Sequence, residues 1–186
     1  MFTCKYCGVH YQNFYSFCPS CGAPYQAEEK ESAQKTEAKI IGEKIRRICN
    51  HYLNRDFSDS CDFKDGESIS DKRMDFLSKT FRAFPIGKEI FLYCDTTPLR
   101  TGKRGFLICE DGVYWHNAWT TSTNRNFISW EVFKTREITH DKFDVFLGKG
   151  DAIGLAGLGG YALREKVYSF FKQIQDELNV RSLEQK

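Results

Sequence analysis

The spacing of apolar residues follows two different periods along the chain, and the period changes at Gly87. Before Gly87, apolar residues recur every three to four positions, which predicts amphipathic helices over residues 37–54 and 70–84. Their apolar faces consist of Ile41, Ile45, Ile48 and Tyr52 in the first helix and of Met74, Leu77, Phe81 and Phe84 in the second. Pro85 should end the second helix, because proline has no amide hydrogen to donate.

After Gly87, apolar and polar residues alternate for about seventy residues, which is typical of short antiparallel strands. The predicted strands span residues 89–94, 104–110, 113–119, 127–133, 135–139, 143–147 and 152–155. A last amphipathic helix is predicted over residues 161–179, with an apolar stripe of Leu163, Val167, Phe170, Ile174 and Leu178. This order predicts an α+β fold in which an antiparallel β-sandwich or partly open barrel is capped by the C-terminal helix.

The strands on either side of Asp111-Gly112 are predicted to form a hairpin. This dipeptide is typical of a type I′ turn, in which both central residues take a positive φ. Within the second strand, alternate side chains should point to one buried face and one partly solvated face. The first set is Val113, Trp115 and Trp119, and the second is His116 and Ala118.

Four cysteines near the start of the chain form two Cys-x-x-Cys pairs, each followed by a glycine. They are Cys4, Cys7, Cys18 and Cys21, with Gly8 and Gly22 after the pairs. Two such pairs supply the tetrahedral shell of four thiolates that Zn²⁺ accepts. A glycine at that position can take a positive φ and turn backbone N–H groups towards the sulfurs. The pattern predicts a small zinc ribbon over residues 1–25.

We interpret this zinc as structural. Four thiolates leave no open coordination position, and their negative charges make the ion a poor Lewis acid. A disulfide-linked pair of knuckles and an iron site are the alternatives. Because no secretory signal stands at the start, we expect a reducing compartment and a cytoplasmic protein. No apolar stretch reaches the roughly 18 residues that a membrane span requires.

Composition divides the chain into four predicted parts. Residues 26–37 carry no large apolar side chain and mix both charges, so we expect a tether of frayed helix or flexible coil. The ribbon (1–25) and tether are followed by a helical segment (38–86) and a β module (87–180). The formal net charge of the chain is +2, which does not by itself imply a polyanionic partner.

Three stretches of the β module resemble a known fold. They resemble the first strands of pleckstrin-homology-like (PH-like) domains in bacterial proteins without an assigned function. The three stretches are Glu89–Thr97, Gly102–Trp115 and Phe127–Trp130. Some of those proteins also carry an N-terminal zinc ribbon. The resemblance covers about residues 87–180 and rests on strands and a turn, so it implies a fold rather than an activity.

The loop after the first strand of the β module contains candidate anion ligands. Arg100, Lys103 and Arg104 fall where PH domains that bind phosphoinositides gather positive charge, which implies contact with a phosphate ligand or an anionic membrane. The counter-argument is charge balance, since residues 87–160 contain nine Lys or Arg and nine Asp or Glu. Solvated loop charges are therefore the alternative interpretation.

The composition of the predicted ribbon favours a protein partner over nucleic acid. Residues 1–25 contain one Lys and no Arg, whereas nucleic-acid binding draws most of its affinity from these cations. The same residues contain more aromatic side chains than so small a fold can bury, which favours protein binding. These are Phe2, Tyr6, Tyr11, Phe14, Tyr15, Phe17 and Tyr25.

No group of residues indicates catalysis. The histidines, His10, His51, His116 and His140, are scattered and accompany no nucleophile motif. The glycine-rich run 154–160 lacks the Lys and Ser or Thr of a phosphate-binding loop, so we interpret it as a strand-to-helix connection. We expect Cys94 and Cys109 in the core, with a second metal site of Cys49, His51 and Cys61 as an alternative.

Together these observations predict a non-enzymatic adaptor that binds other proteins through its ribbon and its β module. Binding of an anionic lipid or phosphate through the loop at Arg100–Arg104 is the first alternative. Nucleic-acid binding and an unrecognised enzyme are the others.

Overall fold

The computed structural model describes residues 2–3, 8–12, 19–21, 27–60, 62–120 and 123–180. The chain separates into two compact units, Met1–Ile40 and Ile41–Lys186. The predicted positions at Cys4, Cys7, Cys18, Gly22 and Cys61 lie outside the described residues. The domain boundaries expected after residues 25, 37 and 86 stay predictions.

The described part of the first unit contains two short strands, a turn at residues 19–21 and the start of a helix. β1 (Phe2–Thr3) and β2 (His10–Tyr11) pair antiparallel, with Thr3 opposite His10. α1 spans Ala27–Asn54, so it ends where the sequence predicts and begins ten residues before the predicted start at residue 37. Its first turns give the expected tether a helical backbone, which is one of the two conformations expected there.

The larger sheet of the second unit has five antiparallel strands in sequence order. These are β3 (Phe63–Asp65), β4 (Ile90–Asp95), β5 (Gly105–Cys109), β6 (Gly112–His116) and β7 (Phe127–Ser129). β4, β5 and β6 correspond to the first three predicted strands. β3 has no predicted counterpart, because three residues are too few for an alternating pattern to stand out.

Most of the second face of this sheet is also buried, although the two residues expected on a partly solvated face, His116 and Ala118, are half-buried and exposed. α2 (Asp71–Thr80) covers that face with Leu77, and Phe81 joins the same cluster after leaving the helix in an extended conformation. Because Phe81 is extended, α2 ends at Thr80 and not at the predicted residue 84. Trp119, expected on the buried face of β6, lies beyond the strand and is 47% exposed.

The predicted β5–β6 hairpin is confirmed, but its type I′ turn is wrong. Gly112 belongs to β6, and neither Asp111 nor Gly112 has a positive φ. A Cβ on Gly112 would overlap the carbonyl oxygen of Ile128 in β7. Glycine therefore allows the close approach of β7 at this position, rather than the turn.

A smaller antiparallel sheet has the order β10 (Ala152–Gly154), β9 (Asp144–Phe146), β8 (Thr139–His140). Asn117, which follows β6, links it to the larger sheet. Its Nδ2 donates to the carbonyl oxygen of Ala152 at 2.8 Å, and its Oδ1 accepts from the amide of Gly154 at 2.9 Å. The outer edge of β10 is thereby bonded to a side chain.

The predicted strand over residues 127–133 is half correct, because β7 gives way to a helical turn, α3 (Trp130–Phe133). The indole of Trp130 donates to the carbonyl oxygen of Cys109 at 3.0 Å, which draws the chain inward at that point. The predicted strand over 135–139 is reduced to β8 at its end. Strands near 143–147 and 152–155 are confirmed as β9 and β10.

α4 (Tyr161–Asn179) has the predicted bounds and buries its apolar stripe in the main core. Strands of both sheets and the C-terminal half of α1 contribute to the same core. The expected α+β class with antiparallel sheets is thus confirmed. None of the helices in the described ranges is long and apolar enough to cross a membrane.

Candidate functional site

One of the four predicted zinc ligands lies within the described residues. Cys21 is exposed in a turn with Pro19 and Ser20. Gly8 has a φ of +73°, as predicted for the glycine after a metal-binding pair. No group of three or more metal-binding side chains occurs in the parts of the chain that the structure describes, and three of the four cysteines fall outside them.

Two features of the described residues are compatible with the predicted zinc site. The antiparallel strands β1 and β2 precede and follow the first cysteine pair in the sequence, an arrangement that suits a metal-binding knuckle. The Thr3 hydroxyl and His10 Nδ1 lie 2.8 Å apart across these strands. The positive φ of Gly8 and the pairing of β1 with β2 are therefore both compatible with a metal-binding knuckle at the first cysteine pair.

A buried carboxylate shapes the β4–β5 loop that carries the predicted anion ligands. Asp95 accepts hydrogen bonds from the amide and hydroxyl of Thr97 at 2.9 and 2.6 Å, and from the amide of Gly102 at 2.7 Å. The Thr97 hydroxyl in turn accepts from the amide of Thr101 at 2.7 Å. These bonds fix the loop backbone, because they join Asp95 to residues two and seven positions later and Thr97 to a residue four positions later.

The three predicted cations do not converge on one point. The Nε of Arg100 donates to Asp62 at 2.9 Å, and this ion pair engages its guanidinium. Lys103 is exposed, whereas Arg104 is half-buried and lines a small cavity beside Asn117 and Trp119. The sequence pattern missed Leu99, which stands at the loop tip with 85% of its surface exposed.

A groove of about 520 Å³, here called the β8 groove, opens beside edge strand β8. Its exposed walls come from Thr135, Glu137, Thr139 and Lys149. Arg136, which also lines the groove, is buried, and its guanidinium lies 3.8 Å from the carboxylate of the buried Asp151. No sequence motif marks this groove, because its walls come from chain segments that only the fold brings together.

The backbone beneath the β8 groove is tied to α4. The side-chain amide of Gln175 donates to the carbonyl oxygens of Arg136 at 2.5 Å and Phe133 at 3.3 Å. Gln175 is itself buried. The stretch that leads from α3 into β8 is thus held by a helix of the core.

The histidines do not form a catalytic group. His116 is half-buried at the end of β6, and burial, followed by the nearby Arg82 charge, lowers its pKa. His140 stacks on Tyr168 with ring centroids 4.0 Å apart, and its Nδ1 lies 3.3 Å from Glu165. His51 is exposed on α1.

The remaining cysteines are core residues. Cys49, Cys94 and Cys109 are fully buried, and desolvation raises the pKa of each thiol. The expectation for Cys94 and Cys109 is confirmed. Cys49 points into the core whereas His51 is exposed, so the structure separates two of the three residues of the alternative metal site.

The glycine-rich run after β10 connects a strand to a helix. β9 and β10 are antiparallel, so the run is not part of a βαβ unit. Gly160, with a φ of +124°, is the residue before α4. No protein-family model, curated protein or solved structure matches this chain.

Proposed function

We propose that this protein is a non-enzymatic adaptor of the cytoplasm, in which an N-terminal zinc ribbon and a PH-like module bind other proteins. The order of elements supports the PH-like assignment. Strands β4 to β7 belong to one antiparallel sheet and strands β8 to β10 form a second, and α4 follows them in the sequence. The β8 groove is the observation that carries the binding role.

In this proposal the zinc has a structural role. The ion would be held by Cys4, Cys7, Cys18 and Cys21. It would cross-link the two cysteine pairs of the ribbon, because a segment of 25 residues is too short to build a hydrophobic core of its own. The conformation of Gly8 and the β1–β2 pairing support this assignment. The aromatic residues of the ribbon are then available to a protein partner.

An extended peptide is the ligand that the β8 groove would accept. β8 is the last strand of its sheet, so its outer backbone groups meet no further strand among the described residues. A peptide that pairs with such an edge gains main-chain hydrogen bonds, while a neighbouring groove selects its side chains. The exposed Glu137 and Lys149 provide one charge of each sign for that selection.

Selection of peptides from a displayed random library against the intact chain tests this proposal. Bound peptide should slow amide hydrogen exchange at residues 137–140 and leave exchange in β3, an edge of the other sheet, unchanged. The variant Thr139→Asp with Lys149→Glu should weaken binding at least tenfold, because it places negative charge along the groove.

The matched control is Lys72→Glu with Ser78→Asp, which makes the same change of charge on the exposed face of α2. It should bind peptide like the original chain. Equal affinity in the groove variant and the control, or protection at β3 instead of β8, would contradict the proposal.

Membrane binding through the β4–β5 loop is a second candidate, supported by one observation. Leu99 is presented at the tip of a loop that Asp95 holds in place, between Thr97 and the cations Arg100 and Lys103. An exposed leucine beside cations suits the surface of an anionic bilayer. The pairing of Arg100 with Asp62 argues against it.

Flotation with vesicles of phosphatidylcholine and phosphatidylserine separates the two candidates. The membrane candidate predicts salt-sensitive binding that is lost in the double variant Arg100→Glu with Arg104→Glu. The control, Arg47→Glu with Arg55→Glu, should keep that binding. This result would favour membrane binding and contradict the adaptor proposal. Under the adaptor proposal, none of these proteins should float with the vesicles.

A further inference from the structure

A second cavity, of about 290 Å³, lies where β6 ends, and we call it the arginine cavity. Its polar walls include Arg82, His116, Asn124 and Arg125, and the exposed ring of Trp119 stands beside them. No carboxylate is among the described residues that line it. The cavity therefore has two guanidinium charges without compensation from its own walls.

The two arginines keep most of their hydrogen-bonding capacity. Arg82 donates to the Oδ1 of Asn124 at 2.7 Å, and neither Arg82 nor Arg125 forms an ion pair with a carboxylate of the described residues. Arg46 and Arg100, by contrast, are each paired with a carboxylate. A guanidinium has five N–H donors, so both arginines can still bind an anion through two parallel hydrogen bonds.

The cavity walls are held in place by side-chain hydrogen bonds. Asn117 is bonded to both ends of β10, and the Nδ2 of Asn126 donates to the carbonyl oxygen of Trp115 at 3.1 Å. Asn124 takes a left-handed conformation with a φ of +52°, which sets the direction of the loop. A site with fixed walls loses less conformational entropy when a ligand binds.

One buried polar atom in the wall has no partner among the described residues. It is the Nδ1 of His116, whose side chain borders the cavity next to Arg82. Because this atom is not accessible to solvent, it does not face the open cavity and is not a contact for a ligand bound there. The cavity and the charges of Arg82 and Arg125 are therefore the observations that point to a ligand.

We propose that the arginine cavity binds a phosphate monoester or diphosphate group, with Arg82 and Arg125 as its ligands. A phosphate monoester carries about −1.5 to −2 charges near neutral pH, which the two guanidiniums balance. The ring of Trp119 lies where it would contact the apolar part of the same ligand. This site is separate from the β8 groove and from the predicted ligands Arg100 and Lys103.

Calorimetric titration of the intact chain with inorganic pyrophosphate at low salt tests the proposal. We expect saturable binding, and a loss of roughly ten- to hundredfold in affinity for either Arg82→Gln or Arg125→Gln, since each removes charge-assisted hydrogen bonds. Arg55→Gln, which changes the same charge at an exposed position outside the cavity, should bind like the original chain. Absence of saturable binding, or equal affinities in all three variants, would overturn the proposal.

Two further measurements test whether pyrophosphate binds at Arg82 and Arg125 rather than elsewhere on the protein. The conservative variants Arg82→Lys and Arg125→Lys keep the charge but lose the planar fork, so they should bind pyrophosphate with intermediate affinity. In the original chain, pyrophosphate should also shift the imidazole NMR resonances of His116, and a shift confined to residues of the β4–β5 loop would contradict the assignment.

Competition separates the two sources of such a phosphate. Vesicles of phosphatidylcholine with a phosphatidylinositol monophosphate should displace pyrophosphate if the natural ligand is a lipid headgroup. If phosphatidylcholine vesicles with and without that lipid leave pyrophosphate bound, the ligand is a soluble phosphate compound. Both outcomes support the site, whereas binding to the lipid-containing vesicles that persists in Arg82→Gln with Arg125→Gln contradicts it.

Discussion

Asp95 shows how much structure a single buried carboxylate can organise. It is 4% exposed at the end of β4, and its two oxygens accept bonds from Thr97 and Gly102 on either side of the loop. The same loop presents Leu99 and Arg100 to solvent. The sequence marks Asp95 only as a polar residue after an apolar run, so its role depends on partners that folding brings to it.

Asp95→Asn should therefore destabilise the protein by about 1–3 kcal/mol, because an amide nitrogen facing the N–H of Gly102 leaves buried donors unsatisfied. Urea unfolding checks this value, and amide exchange at Gly102 should become faster. The exposed Asp59→Asn is the control and should change stability by less than about 0.5 kcal/mol. Similar effects of both substitutions would refute the anchoring role of Asp95.

His116 should titrate below its ordinary pKa of about 6.5, because burial and then the charge of Arg82 disfavour the imidazolium. The unfolded state then binds more protons, so the contribution of His116 to stability is present above pH 6.5 and is lost as the pH falls from that value through the lower pKa of the folded state. Histidine NMR titration measures the pKa of His116. The substitution Arg82→Gln should move this pKa part of the way back towards 6.5, because burial still lowers it. An unchanged pKa in Arg82→Gln would show that the two side chains do not interact.

At the scale of elements, the period of apolar residues predicts where helices and strands lie, but it does not predict which of their faces are buried. The bounds of α4 follow from its apolar stripe, and the β5–β6 hairpin follows from alternation. The burial of both sheet faces could not be predicted, since no local pattern states that α2 will cover the face that carries Leu107 and Tyr114. Alternation cannot distinguish a solvated face from one that a distant helix covers.

Gly112 provides a test of this packing. Gly112→Ala should destabilise the protein by about 1–3 kcal/mol, because its methyl group would overlap the backbone of Ile128 in β7. Gly159→Ala is the matched control, since a Cβ there meets no atom within 4 Å and φ is not positive. Thermal unfolding of the two variants gives the comparison, and a neutral Gly112→Ala would show that β7 does not approach so closely.

At the scale of the whole molecule, the candidate sites differ in how far the sequence could foresee them. The zinc site follows from short spacings within residues 4–21, because a knuckle is a local structure. The arginine cavity joins residue 82 to residues 116–126, and the β8 groove joins residues 135–139 to residues 148–149. Such sites have no signature in a single sequence, since the fold alone brings their residues together.

Loss of zinc should affect the two units differently. The two apolar core clusters identified among the described residues are built from residues of the second unit, from Ile41 onward. We therefore expect Cys18→Ser, or chelation of the metal, to speed amide exchange in β1 and β2 while the cooperative thermal unfolding of the second unit stays the same. A large drop in the unfolding temperature of the second unit would contradict this division.

The zinc content of the purified intact chain tests the central claim most directly. Elemental analysis should find one zinc ion for each chain, and the Cys18→Ser variant should lose it, because three thiolates no longer close the tetrahedral shell. The matched variant Cys94→Ser alters a buried core thiol and should retain the metal. A chain without stoichiometric zinc, or a Cys18→Ser variant that retains it, would contradict the account.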